Sequence, residues 1–438
     1  MNNISKKVSL LAIICLLAFI FLGLNNDGNV SAQDKNFYKD IKIFNEVFDM
    51  VRKNYVDEVD SKTLIHGAIN GMVRSLDPHS AFMTPELYKE MEVETQGQFG
   101  GIGIEIMIIK DVLTVVSPIE DTPAFKAGMK SGDQILRIDG KSTKNIEIME
   151  AVKKLRGPKD TKVTVTIMRE NMTTPKDITL TRAIIQVKSV KVKQLPDDIR
   201  YIRIAAFQER TADDVRKELK RISENNIAMK GLILDLRNDP GGLLMQAIEV
   251  SDIFLKSGVI VSTRGRMKSM ETKSVAQDDR NEVTCPIVVL VNEGTASAAE
   301  IVAGALQDNG RALIIGTQTF GKASVQTVIP LEDGSALKLT TARYFTPNGR
   351  SIQAEGIKPD IIVKYAKPSD DAVGDEKGRI REKDLQGHIK PEQENDVHEE
   401  ELPLKDFKND ADMLSDNQLK AAFDILKSWD IMRHNLKK

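Results

Sequence analysis

The sequence predicts an α/β protein with an all-β module inserted ahead of its parallel strands and a helical region at its start. Three observations carry this. Short, nearly all-apolar runs such as Gly231–Leu236 and Pro286–Val291 alternate with helix-spaced segments, as strands covered on both faces do. Between residues 98 and 183 that alternation gives way to short strands divided by glycine turns. Ahead of residue 97, apolar residues recur at helical spacing. With 438 residues, 41% of them hydrophobic and 29% charged, the chain has the composition and room for two or three globular domains. A net charge of −2 excludes the basic surface that nucleic acid requires.

The first segment, 1–32, reads as an export signal. Lys6 and Lys7 precede an apolar run from Val8 to Leu24, and a polar stretch ends in Val30-Ser31-Ala32. At about 17 residues the run is also long enough to stay as a single membrane anchor. Export follows either way, to the periplasm or cell envelope. In the helical region 33–97, Phe37, Ile41, Phe44, Phe48, Val51 and Tyr55 form one helical stripe. Leu64, Ala68, Met72 and Leu76 form a second, which Asp77-Pro78 stops. Thr84-Pro85 opens a third helix, with threonine as cap and proline in the first turn. The turn Asp77-Pro78-His79-Ser80 reads as structural.

In 98–183, Ile104–Ile109, Val112–Ser117, Gln134–Ile138, Val163–Met168 and Ile178–Leu180 read as strands, with short helices at Pro123–Ala127 and Asn145–Leu155. In 184–366 the expected strands are Tyr201–Phe207, Gly231–Leu236, Pro286–Val291, Ala312–Ile315, Thr327–Pro330 and Leu337–Tyr344. The helices are Asp213–Glu224, Leu243–Leu255 and Ser297–Gln307. Residues 367–412 are dense in charge and read as a solvated insertion. The last segment, 413–438, holds an amphipathic helix, Asp416–Arg433, with Leu419, Ala422, Phe423, Leu426 and Trp429 on one face. That face is expected to dock on the α/β domain or on a partner subunit, the latter giving a homo-oligomer through the helical termini. The two cysteines, Cys15 and Cys285, lie in unrelated contexts and suggest no disulfide, and no metal-ligand spacing exists.

Three glycine-containing turns in the α/β segment look like a site. They are Asp235–Gly242, Asn292–Glu300 and Thr319–Gln326, and the first two follow core strands, where ligands of parallel sheets bind. Ser297 stands where a strand-to-helix turn becomes a helix. The Ala298 amide there points outward with the helix dipole behind it and suits an oxyanion. Gly241 or Gly242 would supply a second donor, and a side chain at either position would obstruct a substrate carbonyl. Ser297-Ala-Ala-Glu300 is equally a capping box, whose side chains satisfy orphan amides. None of the five histidines lies in the three turns, so Lys322 is the local candidate for a base. Lysine must then be neutral, and lowering its pKa from about 10.4 by three pH units costs roughly 4 kcal/mol, supplied by burial. Phe320 and Val325 are candidates for the apolar surroundings, and Gln326 is close enough in sequence to orient the amine. A solvent-exposed lysine is the alternative.

These turns, with Leu339–Arg350 after them, resemble the C-terminal processing (tail-specific) peptidases, over residues 40–365. The resemblance implies a crotonase-like ββα spiral with Ser297 as nucleophile, Lys322 as general base and Gln326 as its orienting partner. It implies an oxyanion hole at Gly241, Gly242 and Ala298, and no metal or organic cofactor. Ala323 stands where glycine is common. Phe99-Gly100-Gly101-Ile102-Gly103-Ile104 resembles the carboxylate-binding loop of PDZ domains, and Ala127–Leu136 a second PDZ landmark. Gly101, Ile102, Gly103 and Ile104 are thereby expected to grip a peptide's terminal carboxylate while the peptide adds as a strand. Arg156 takes the place of an arginine that, in the family, couples the PDZ domain to the catalytic glutamine, here Gln326. A helix-end arginine favoured by the dipole is its plain alternative. The function implied is an exported serine endopeptidase that recognises protein C-termini. An inactive PDZ scaffold and an exported non-peptidase acyl hydrolase are the rivals.

Overall fold

The computed structural model describes residues 32–109, 111–119, 121–169, 172–225, 228–268, 271–278, 283–366, 382 and 416–436. The expected signal segment and nearly all of the charged stretch 367–412 lie outside them. No helix among the described residues is long and apolar enough to cross a membrane. The chain divides into two units, Met1–Met72 and Val73–Lys438.

The first unit contains α1 (Ala32–Asn54) and most of α2 (Ser61–Arg74). In α1, Phe37, Ile41 and Phe44 of the expected stripe are exposed. The second helix starts where the Asp60 carboxylate accepts the Thr63 N–H at 2.9 Å, leaving one orphan amide fewer.

The second unit begins with β1 (Ala81–Met83) and α3 (Pro85–Gln96), capped by Thr84 and stopped by Gly97 in the left-handed region at φ 66°. The β-rich module follows with β2 (Gln98–Gly101), β3 (Ile104–Ile109), β4 (Val112–Pro118), α4 (Pro123–Lys126), β5 (Gln134–Ile138) and β6 (Lys141–Ser142). It ends with α5 (Ile148–Leu155), β7 (Lys162–Met168), β8 (Lys176–Thr181) and β9 (Ala183–Gln186). Strands β3-β4-β5-β7-β8 form its sheet, with β3 at the edge, while β2 pairs with β9. Leu113, Val115, Ile135, Ala151, Val163 and Val165 make its core. The helix expected from Asn145 begins three residues later, because Asn145 itself is left-handed at φ 58°.

The α/β part comprises β10 (Val190–Gln194), β11 (Ile199–Ile204), α6 (Thr211–Glu224), β12 (Gly231–Asp235), α7 (Leu244–Phe254), β13 (Val259–Gly265) and β14 (Thr272–Val275). After these come β15 (Ile287–Val291), α8 (Ala298–Asp308), β16 (Ala312–Gly316), β17 (Ser324–Pro330), β18 (Ala336–Phe345), β19 (Ile361–Ile362) and α9 (Asn417–Leu436). One sheet runs β10-β11-β12-β15-β16-β19 and is parallel from β11 onward. A second, antiparallel sheet runs β1-β18-β13-β14, with β17 on β18. Strands β12 and β15 are buried at every residue, because both faces of their sheet are covered. On one face lie α6, α7 and α8, through Val215, Val250, Ile301 and Val302. On the other, Leu419, Ala422, Phe423 and Leu426 of α9 pack on Tyr201, Ile233, Val288 and Leu290.

The apolar face of α9 is therefore taken up by its own chain, and Trp429, expected on that face, is exposed. Asp416 caps α9 and reaches Arg237 at 2.7 Å, while Arg237 also binds Asp235 at 2.7 Å; all three are buried. Phe207, expected to end a strand, instead leaves β11 and bridges to Gly242. That departure carries the chain toward the turn after β12.

Candidate active site

The turn after β15 is tied to the turn after β12 before either reaches its helix. Asn292 Oδ1 accepts the Asn238 N–H at 2.8 Å, its Nδ2 donates to Asn238 Oδ1 at 2.8 Å, and Thr295 Oγ1 donates to the Leu236 carbonyl at 2.8 Å. Ser297 closes this turn at φ 53°, ψ −113°. An ordinary helix cap has extended dihedrals. A serine at this left-handed, strained position is instead what a sharp strand-to-helix elbow imposes, at a cost on the order of 1–3 kcal/mol. The capping box is present as well, with the Glu300 carboxylate accepting the Ser297 N–H at 2.8 Å.

Gly241 and Gly242 lie against this elbow at φ 94° and 144°. A Cβ on Gly241 would sit 2.8 Å from Ala298 N and from Ser297 Cβ, and one on Gly242 would sit 2.2 Å from the Phe207 carbonyl oxygen. Glycine is required at both positions by backbone angle and by space. The Gly241 N–H donates to Asp239 Oδ1 at 2.8 Å. That amide is therefore engaged, whereas Gly242 and Ala298 line the cleft with Ser297. Burial pushes the Asp239 carboxyl well above the usual carboxylate range, and its other oxygen has no partner among the described residues.

Lys322 follows β16 on the loop that crosses to β17. Burial is the largest influence on its amine and holds its pKa below the ordinary lysine value. The positive charge of Lys338 adds to this, and Glu382, Glu300 and Asp77 oppose it. One cleft of about 520 Å³ is lined by Ser297, Ala298, Gly241, Gly242, Lys322 and Gln326, with Leu243, Leu244, Ile301 and Val325 as its apolar wall. Phe320, expected beside the amine, is not among the lining residues. Gln326 does not meet the lysine through a hydrogen bond among the described residues. Its Nε2 donates to Ser324 Oγ at 2.8 Å and more loosely to Thr340 Oγ1 at 3.4 Å.

A second, smaller groove of about 80 Å³ lies between the edge strand β3 and α5. Gly101, Ile102, Gly103 and Ile104 line it, with Phe99, Val152, Leu155 and Arg156. An unpaired strand edge beside an apolar channel suits an added peptide strand. The Arg156 guanidinium lies over the Phe99 ring, 4.5 Å from its centroid, and makes no contact with Gln326 among the described residues.

The family model described as peptidase family S41 matches residues 198–363, and that of the PDZ domain matches residues 100–180. The model for the N-terminal domain of the activating protease CtpB matches residues 23–87. A carboxy-terminal-processing protease of Bartonella bacilliformis is 48% identical over 365 residues, 83% of this chain and 83% of that protein. The carboxy-terminal processing protease CtpA of Bacillus subtilis is 37% identical over 343 residues, 77% of this chain and 72% of that one. This chain belongs to the carboxy-terminal processing protease family. It is a serine-type peptidase with a PDZ domain, and the α/β architecture expected from the sequence agrees. Among solved structures, a photosystem II D1 C-terminal processing protease is similar at 30% identity and a TM-score of 0.43, over 74% of this chain and 92% of that one.

In this family member the turn Asp77-Pro78-His79-Ser80, read from sequence as structural, is bonded to Thr340, which also meets Gln326. Asp77 accepts the N–H groups of His79 and Ser80 at 2.8 Å each and the Ser80 hydroxyl at 2.7 Å. Ser80 Oγ in turn accepts the Thr340 N–H at 3.0 Å, and Thr340 Oγ1 donates to Asp77 at 3.2 Å. Thr340 is the residue on which Gln326 rests. His79 itself is not among the cleft-lining residues; its Nε2 meets Glu382 at 2.6 Å. No sequence signal joins positions 77 and 340, since only the β1–β18 pairing brings them together.

Proposed function

We propose that this chain is an exported endopeptidase that selects protein C-termini through its PDZ groove and cleaves by a Ser297–Lys322 acyl-enzyme mechanism. The observation that carries the reading is the meeting, in one cleft, of a serine held at a strained elbow with a lysine whose burial favours the neutral amine. Neutral Lys322 takes the proton of Ser297 Oγ as the oxygen attacks the scissile carbonyl. The amides of Ala298 and Gly242 receive the developing oxyanion, Ala298 with the positive end of α8 behind it. Lys322 then returns the proton to the leaving amine nitrogen. In the second half, neutral Lys322 deprotonates a water that attacks the acyl carbonyl, and passes that proton to Ser297 Oγ as the acyl bond breaks. Gly241 contributes room, since its own amide is held by Asp239. Gln326 supports the site through Ser324 and Thr340. Export rests on the N-terminal charge and hydropathy pattern.

Fluorescein-labelled casein and a folded protein bearing an unstructured apolar C-terminus serve as substrates. Ser297→Ala is expected to abolish cleavage of both, and Lys322→Arg to be inactive as well, because arginine is not neutral near pH 7. Cleavage by either variant at the parent rate would remove the dyad. Cleavage of esters but not of proteins would favour the acyl-hydrolase reading instead.

A further inference from the structure

Two buried side chains hold both halves of the Ser297 and Lys322 backbone. Glu300 Oε2 accepts the Ser297 N–H at 2.8 Å and the Lys322 N–H at 3.0 Å. Its Oε1 accepts the Gly321 N–H at 2.8 Å and the Thr319 hydroxyl at 2.5 Å. Thr319 Oγ1 also accepts the Ile357 N–H at 2.6 Å. On the carbonyl side, the Tyr344 hydroxyl lies 3.0 Å from the Ser297 oxygen and 2.5 Å from that of Lys322. Glu300 is fully buried and Tyr344 is 2% exposed.

A capping box accounts for one of Glu300's four bonds. The other three go to the loop that carries Lys322, which belongs to a different strand crossover. Tyr344 comes from β18, in the other sheet, yet it reaches the same two residues. We infer that Glu300 and Tyr344 are positioning residues that set the separation of Ser297 and Lys322, Glu300 by accepting the amides of both and Tyr344 by sharing its one O–H between their carbonyl oxygens. This rests on the Ser297–Lys322 reading above. Rates in such sites fall about 100-fold for a misplacement of about 1 Å, and two loops joined only by long chain segments need a tie to stay within that tolerance.

The chemistry of the tie is specific. Four donors converge on one carboxylate and use both oxygens twice, a number that an ionised carboxylate accepts and an amide does not. Glutamine in its place turns an NH2 group toward N–H donors. The titratable groups that act on Glu300 are Lys322 and Tyr344. Burial pushes the Glu300 carboxyl up to about 7, against its hydrogen bonds. Acidification through that range therefore protonates the tie and removes acceptor sites that its four donors use.

The test is hydrolysis of fluorescein-labelled casein by the full chain between pH 5.5 and 9, with Ser297→Ala as blank. Kcat and KM are measured for the parent, Tyr344→Phe and Glu300→Gln. Tyr344→Phe is expected to lower kcat about 10-fold or more with KM within about twofold, since the oxygen it loses bonds the backbone of Ser297 and Lys322. Glu300→Gln is expected to lower kcat at least about 100-fold. It should also remove from the acid limb of log(kcat/KM) the inflection near pH 7 that protonation of Glu300 gives the parent. Parent kcat in Tyr344→Phe, or an unchanged acid limb in a folded Glu300→Gln, overturns the inference. If Glu300→Gln does not fold, Tyr344→Phe decides alone. Casein cleavage by Ser297→Ala would instead bring down the dyad reading itself, an outcome distinct from an inactive Ser297→Ala beside two parent-like variants.

Discussion

The turns after β12 and β15 begin alike and end differently. Each follows a fully buried parallel strand, each is pinned to the other through Asn238 and Asn292, and each leads into a helix. The β12 turn offers backbone. It takes positive φ angles at Asn238, Gly241 and Gly242, and at the two glycines no side chain fits. The β15 turn offers a side chain, so its positive φ falls on Ser297, and a buried carboxylate and a phenol hold its two peptide groups. Where a site needs an amide, glycine meets the backbone angle at no steric cost. Where it needs a hydroxyl at such an angle, the surrounding structure must over-determine the residue.

Gly241→Ala attacks the point where the two turns touch. Its Cβ would press on Ala298 N and Ser297 Cβ at 2.8 Å, at a backbone angle that alanine rarely adopts. Casein hydrolysis should fall by about 100-fold to 1,000-fold, the range for a displaced oxyanion donor. Parent activity would mean that the two turns do not need this approach.

Lys322→Met concerns the cost of keeping the amine buried. The folded-state pKa of Lys322 lies below its unfolded value, so the unfolded chain binds the extra proton between the two. Stability therefore rises with pH across that window, and below it the full penalty is present. Removing the amine should raise Tm at neutral pH while abolishing activity, and the gain should vanish above about pH 10, where the unfolded lysine is neutral too. Thermal scans of both proteins across pH decide this. A Tm unchanged at pH 7 would contradict a disfavoured charge.

Ser297→Gly and Ser297→Ala separate strain from capping. Both lack the hydroxyl, but only glycine relaxes at φ 53°. Urea unfolding should find the glycine variant more stable than the alanine variant by about 1 kcal/mol. The smallest effect belongs to the PDZ groove, where Arg156 lies over Phe99. A partly exposed contact of this kind is worth about 0.5–1 kcal/mol. Arg156→Ala should accordingly slow hydrolysis of a tailed protein only several-fold, with casein hydrolysis less affected. Loss of C-terminal peptide binding in a titration would recast the arginine as a ligand contact.

What the sequence disclosed and what it hid divide along contact range. Ser297, its helix and the glycines after β12 were legible because elbow, cap and glycine signals lie within a few residues of each other. The helix of α9 was legible from its stripe, and the α/β part was one of the two partners expected for it, but its tie to buried Arg237 was not, because Arg237 and Asp416 meet across 179 positions. The turn at Asp77 carried no sign of its place beside Gln326, since its bond to Thr340 spans 263 positions. Gln326 was expected to turn toward the amine, and it rests instead on Ser324 and Thr340, groups that β17 and β18 bring to it. Glu300 was read as half of a cap, because its three bonds to the next loop are invisible until the strands assemble.

The central claim, that Ser297 is activated by a neutral Lys322, is tested most directly by trapping the serine. The full chain is treated with a fluorophosphonate across pH, and the modified residue is located by peptide mass mapping. We expect the adduct on Ser297 alone, a labelling rate that rises with pH, and loss of labelling in Lys322→Ala. A label on another residue, or Ser297 labelled at the parent rate without Lys322, would contradict the account.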